Sequence, residues 1–204
     1  MKARHSFLLK DISVLQKNKG RVIVGIDGFG GSGKTTLSRN LAKTLKSLGI
    51  ASQVVHLDDF IFEKRIRYTK NKPQWYSFYF KQWNFHTLID HIIKPFLEVS
   101  QKKIRLQTYD KFNNNYRNTS INLTDKHVLI LEGVFVQRKK LSSFLDYTIF
   151  INSSKKTRIK RILKRDRYIG NSKQIIKKYI DRYFPAEEYY SKEIKPRSKA
   201  NIIL

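Results

Sequence analysis

Gly28-Phe-Gly-Gly-Ser-Gly-Lys-Thr35 satisfies the pattern G-x-x-x-x-G-K-[ST]. It stands directly after the β-branched run Arg21-Val-Ile-Val-Gly-Ile26. It is followed by Leu37, Leu41, Leu45 and Leu48, which recur at helical spacing until Gly49 stops them. Strand, glycine-rich loop and helix are therefore expected in succession. Small residues at 28, 30, 31, 32 and 33 let successive backbone N–H groups turn inward around phosphate oxygens at a helix N-terminus. Gly28, Phe29, Gly30, Gly31, Ser32, Gly33, Lys34, Thr35 and Thr36 are the expected ATP-binding residues. Within them Lys34 reaches the β- and γ-phosphates and Thr35 ligates Mg2+.

Downstream, Gln53-Val-Val-His-Leu57 reads as a second strand ending abruptly at Asp58-Asp59, which with the intervening helix makes a βαβ unit on a parallel sheet. Leu88, Ile89, Ile92, Ile93, Phe96 and Leu97 give one face of a helix over 85–99, with Pro95 as a kink. Ile104-Arg-Leu-Gln-Thr108 alternates as a half-exposed strand, and 110–126 reads as a loop or a short hairpin. Val128-Leu-Ile-Leu131 is continuously apolar, as a central parallel strand requires, and Tyr147-Thr-Ile-Phe-Ile151 is another buried strand. A basic helix at about 154–166, a hinged loop Arg167–Asn171, a helical pattern over 172–182 and a last strand at Ala200–Leu204 complete the chain. The expectation is one α/β domain over 1–204, a three-layer α/β/α sandwich with a mainly parallel central sheet. A helical extension at 1–20 and a helical lid at about 160–175 are expected to flank it.

Of 204 residues, 40% are hydrophobic and 13% aromatic, enough for a core despite a formal charge of +26 from 42 Lys and Arg against 16 Asp and Glu. With no cysteine there is no disulfide framework, Cys nucleophile or thiolate metal site, and the five histidines show no metal-ligand spacing. Phe7-Leu8-Leu9 is too short for an export signal core, and Val128–Val136 carries Glu132 and Gly133 in its middle. A cytoplasmic protein without a membrane span is expected.

Ligands of open α/β sheets bind at the carboxyl ends of strands, and two strand ends carry acids. Leu131-Glu132-Gly133 resembles a Walker B end whose acid holds Mg2+ through water, with a loop cap as the alternative. Asp58, at the end of the strand beside the glycine-rich loop, suits a base that takes the proton of an attacking hydroxyl, with a turn-forming role as the alternative. Arg158, Arg161 and Arg165 share one helix face, either toward phosphate from a lid or as a solvated basic stripe. The aromatic residues Trp75, Tyr76, Phe78, Tyr79, Phe80, Trp83 and Phe85 read as core or as the wall of an acceptor pocket, and Tyr109-Asp110 as an acceptor contact or a turn.

In order, Gly25–Thr36, Asp58-Asp-Phe60, Tyr109-Asp110, Leu131-Glu-Gly133, Thr157-Arg158 with Arg161 and Arg165-Asp166, and the closing Ala-Asn-Ile-Ile resemble the uridine kinase-like branch of P-loop nucleoside kinases. Phosphoribulokinase and bacterial pantothenate kinase are more distant relatives. The resemblance runs from about Val22 to Leu204. It implies Asp58 as general base, Lys34, Arg161 and Arg165 as catalytic cations, Thr35 and Glu132 at magnesium, and Asn84, Tyr109 and Asn114 toward the acceptor. Asn84 stands where the family has a ribose-binding acid, Asn114 falls near a pyrimidine-reading histidine, and Ala200-Asn201 replaces an Ala-Asp pair.

The expected activity is ATP-dependent phosphorylation of a small-molecule hydroxyl, first the 5′-hydroxyl of a nucleoside such as uridine. The alternative is a nucleic-acid-associated P-loop protein, a polynucleotide end kinase or an RNA-stimulated ATPase, for which the charge is suited but no RNA-binding signature is present. The absence of an N-K-x-D motif, for which Asn71-Lys-Pro-Gln74 is the nearest approach, disfavours a GTPase.

Overall fold

The computed structural model describes residues 2–69, 71–98, 103–110, 113–123 and 125–204, with side chains from residue 7 onward. Its strands are β1 (Val22–Gly28), β2 (Ser52–His56), β3 (Lys103–Asp110), β4 (Asn115–Asn122), β5 (Val128–Glu132), β6 (Tyr147–Ile151) and β7 (Ile202–Ile203). Among the described residues one sheet has the order β2-β5-β1-β6-β7, with every pairing parallel. The fold is an α/β sandwich with helices on both faces of this sheet.

β1 and β5 lie inside the sheet and are buried along their whole length, which is why Val128–Leu131 is apolar on both faces. β5 pairs with β1 on one side and β2 on the other. This corrects the placing of the Asp58 strand directly beside the phosphate loop, because the acid-ended strand β5 lies between them.

On one face the helix Lys34–Ser47 and the helix Lys2–Lys19 enclose Leu8, Ile12, Leu41, Leu45, Val22, Val24 and Ile130. Tyr147 donates to Asp11 (2.9 Å) and Lys19 pairs with Asp146 (2.6 Å), tying the first helix to β6. On the other face Phe78 and Trp83 pack edge to face on Phe135, Tyr79 and Tyr190 meet the same ring at a tilt, and Phe85 packs on Trp83. Most of the aromatic run is thus core, with Phe80 exposed.

The helical stretch Phe85–Glu98 does not simply kink at Pro95. It widens into a π turn over Ile89–Ile93, because Pro95 has no N–H for the carbonyl four residues back and its ring crowds that carbonyl. Residue 99 of the expected helix lies outside the described residues. Within 110–126 the described residues Asn115–Asn122 form β4, which pairs antiparallel with β3 from Lys103↔Asn122 to Asp110↔Asn115, apart from the main sheet, the hairpin alternative of the sequence reading. The 172–182 pattern extends further than expected: the helix Ser172–Lys178 passes through a π turn, Tyr179–Tyr183, into the helix Phe184–Ile194.

Candidate active site

The glycine-rich loop joins β1 to the helix Lys34–Ser47 as its sequence dictates. Gly31 has φ +77°, and a Cβ there would meet Ile162 Cγ2 at 2.9 Å, so the loop needs glycine for both conformation and space. Lys34 Nζ donates to the Phe29 carbonyl (3.0 Å), folding the ammonium back over the loop. Burial lowers the Lys34 pKa, against the raising influence of Glu132, Asp27, Asp58 and Glu187. Those carboxylates converge on one lysine from four separate elements.

Glu132 ends β5 beside the loop. Its Oε2 accepts from Thr35 Oγ1 (3.2 Å) and from His56 Nδ1 (2.6 Å) at the end of β2. Burial pushes the Glu132 pKa up, but the His56 hydrogen bond and the Lys34 charge outweigh that and hold it below the usual range. His56 in turn is raised, chiefly by the same hydrogen bond. Gly133 must be glycine because a Cβ would lie 2.5 Å from Leu57 Cβ, and this close approach presses the Asp58 turn against the Walker B end.

Asp58 sits on the 3-10 turn Leu57–Phe60 that follows β2. Solvent reaches it, yet protein surrounds it on most sides, as at the foot of a crevice. Desolvation there and the negative charge of Glu132 push its pKa up, while Lys34, Trp83 and Arg165 oppose the shift. Lys34, Glu132 and Arg165 thus lie within electrostatic reach of Asp58, and Thr35 bonds to Glu132.

The helix Lys155–Arg165, capped by Ser154, buries Arg158 and leaves Arg161 and Arg165 exposed. Arg158, buried, pairs with Glu187 (2.8 Å), and Glu187 also accepts from the Gly30 N–H (2.9 Å). Arg161 Nη1 donates to the Ser32 carbonyl (2.8 Å) on the loop. Arg165 pairs with Asp166 (2.7 Å), whose other oxygen accepts from Tyr179 (2.7 Å). The expected hinged loop is a 3-10 turn, Arg167–Ile169, closed by Gly170 at φ +140°.

The three acceptor-side residues are placed differently. Tyr109 is buried, accepts from Arg67 Nη2 and donates to Asn114 Oδ1 (2.9 Å), so Tyr109 and Asn114 stand together. Asn84 is a helix N-cap, its Oδ1 accepting from the Thr87 N–H (3.2 Å) and its own N–H bonding to the Phe60 carbonyl (2.8 Å), two residues past Asp58.

Several site residues were not singled out by the sequence. Asp27, fully buried at the end of β1, accepts from the Gly28 N–H (2.7 Å), Gln137 Nε2 (3.2 Å) and Tyr190 (2.5 Å), and burial raises its pKa against those bonds. Glu187 and Tyr190 lie on the helix Phe184–Ile194, whose signal was the spacing 186, 187, 190, 194 behind a Pro at the first turn.

This arrangement can be set against known proteins. Residues 23–204 match the phosphoribulokinase/uridine kinase family. The chain belongs to that family. Uridine kinase of Staphylococcus aureus (strain JH9) is 28% identical over 196 residues, covering 91% of this chain and 88% of its own. A solved structure described as a possible uridine kinase from Bacillus stearothermophilus has a TM-score of 0.81 at 30% identity, covering 100% of this chain and 98% of that one. D-glycerate 3-kinase from Cryptococcus neoformans, at 13% identity and a TM-score of 0.64 over 90% of this chain and 87% of its own, shares the fold. As a member of this kinase family the chain is a P-loop nucleotide-binding phosphotransferase. Among the described residues no helix is long and apolar enough to cross a membrane.

Proposed function

We propose that the chain transfers the γ-phosphoryl of ATP to a hydroxyl of a small molecule, with Asp58 taking the hydroxyl proton. The observation that carries this reading is Asp58 itself. This carboxylate follows the carboxyl end of β2 on the turn Leu57–Phe60, within electrostatic reach of Lys34 and Glu132, where an attacking alcohol would meet the γ-phosphate.

Magnesium fits the residues present. Thr35 Oγ1 and the charged Glu132 carboxylate are hard oxygen donors 3.2 Å apart, and Mg2+ characteristically takes one or two protein oxygens with water and phosphate oxygens as the rest. Bound there, it would neutralise charge on the β- and γ-phosphates. Lys34 and the backbone N–H groups of the loop hold those phosphates, and Arg161 and Arg165 stand on the side from which a lid over about 160–175 would close. Arg165 is freed from Asp166 only if the pair rearranges, so phosphate competes with Asp166 for it.

The names of the relatives make a nucleoside 5′-hydroxyl the first acceptor to try. The experiment is ADP release from Mg2+-ATP by the purified chain with uridine and other nucleosides, other small alcohols and 5′-hydroxyl oligonucleotides at low and high salt. Stimulation by a small alcohol at either salt supports the reading. Stimulation only by oligonucleotides, lost steeply as salt rises, transfers the activity to a nucleic-acid acceptor.

A further inference from the structure

Three cations, Arg67, Lys178 and Arg182, lie near Tyr68 and form no ion pair with a carboxylate among the described residues. Arg67 ends the short helix Lys64–Arg67 and is 9% exposed. Its Nη2 donates to the Tyr109 hydroxyl, and its buried Nε has no hydrogen-bond partner among the described residues. Arg182, 1% exposed in the π turn Tyr179–Tyr183, spends its donors on neutral acceptors, the Gln74 carbonyl (3.2 Å) and Gln82 Oε1 (2.9 Å). Both guanidinium groups lie over one ring: Arg67 Cζ is 5.7 Å and Arg182 Cζ 4.4 Å from the centroid of Tyr68.

Lys178 is one helical turn before Arg182 and half-buried. Its ammonium pKa is lowered, first by burial, with the charges of Arg182 and Arg67 adding to that effect. The acid within reach, Asp166, is already held by Arg165 and Tyr179. Tyr168 lies within electrostatic reach of both Asp58 and Tyr68.

Like charges gathered out of water and left unpaired are costly, and a bound anion removes that cost. Cation–π contacts with tyrosine faces offset part of it while leaving the net positive charge in place.

We infer that Arg67 and Lys178, backed by Arg182, form an anion subsite that holds a phosphate or carboxylate of the acceptor, remote from the hydroxyl that Asp58 serves. This deepens the kinase reading and rests on it. The acceptor is then an anionic hydroxy compound, a sugar phosphate or a hydroxy acid, instead of an uncharged nucleoside. Arg67 Nε supplies the donor that the protein itself leaves unused, and Lys178, the most accessible of the three, supplies the mobile charge.

The test compares kcat/KM for matched pairs that differ in the anion: ribulose 5-phosphate with ribulose, glycerate with glycerol, pantothenate with pantothenyl alcohol, and uridine beside them. The phosphate and carboxylate arms separate the two sources of the anion. A charged member of at least one pair is expected to lead. In Lys178→Met and Arg67→Met its advantage over its neutral partner should fall by about 10- to 100-fold, the worth of one charge-assisted hydrogen bond. Uridine turned over at least as well as every anionic acceptor, or an advantage that neither variant moves, overturns the subsite.

A second readout keeps the subsite and the kinase reading apart. With a non-hydrolysable ATP analogue saturating the phosphate loop, added sulfate should raise the Tm of the wild-type chain and not of Lys178→Met, whose partly exposed position spares the fold if Arg67→Met does not. If no acceptor is turned over yet the sulfate effect depends on Lys178, the kinase reading fails and the anion subsite stands. If sulfate protects both chains equally or neither, the subsite falls whatever the acceptor.

Discussion

The helix Lys155–Arg165 and the π turn Tyr179–Tyr183 each hold a buried arginine and provide for it in opposite ways. Arg158 faces Glu187 at 2.8 Å, and Glu187 also holds the Gly30 N–H, so charge, counter-charge and phosphate loop form one closed unit. Arg182 faces a carbonyl, an amide oxygen and the faces of Tyr68 and Phe78. The Arg158 unit on the donor side is thus charge-balanced before any ligand arrives, while Lys34 and Arg161, whose donors rest on carbonyls, are left to meet the triphosphate. The acceptor side keeps uncompensated positive charge, as suits a site whose ligand supplies part of its own electrostatics.

Breaking the closed unit should have the largest effect. Arg158→Met strands Glu187 as a buried unpaired carboxylate and is expected to cost about 3–5 kcal/mol in urea unfolding, with a raised KM for ATP because the Gly30 contact loosens. A loss below about 1 kcal/mol would mean the donor side does not depend on this pair.

The pH profile sharpens the contrast next. A base works ionised, so acceptor-dependent kcat/KM should fall as pH drops through the Asp58 pKa, about tenfold per unit below it. Because burial and Glu132 raise that pKa, the acid limb should lie above the ordinary aspartate value of about 4. A limb at or below that value would contradict the crowding around Asp58. The smallest effect is expected at the exposed face of the Ser172–Lys178 helix, where Lys177 and Asp181 pair at 2.8 Å in solvent. Asp181→Asn should change stability by no more than about 0.5 kcal/mol and leave kcat/KM for the acceptor unmoved.

The donor side was legible because its information is contiguous. Eight residues between a β-branched run and a leucine-spaced helix encode backbone conformation, and Gly31 and Gly133 are glycine for reasons that short-range geometry supplies. Glu132 and Asp58 were legible because strand ends in a parallel sheet point at ligands. The order of those strands was not, since the insertion of β5 between β1 and β2 is a pairing between distant segments. The Glu187 partner was hidden for the same reason: helical spacing puts residue 187 on the buried face, but its contact with Gly30 spans 157 residues. Arg67 and Arg182 were invisible among 42 basic residues, because what separates them is burial and the lack of a counter-charge, both properties of packing.

The most direct measurement is ADP release from Mg2+-ATP by wild type and Asp58→Asn, each with and without the best acceptor. The predicted result is an acceptor-dependent rate that drops about 100- to 10,000-fold in Asp58→Asn while the ATP-analogue affinity is kept. Turnover that ignores both the acceptor and Asp58 would contradict the account, leaving the phosphate loop without the alcohol chemistry assigned to it.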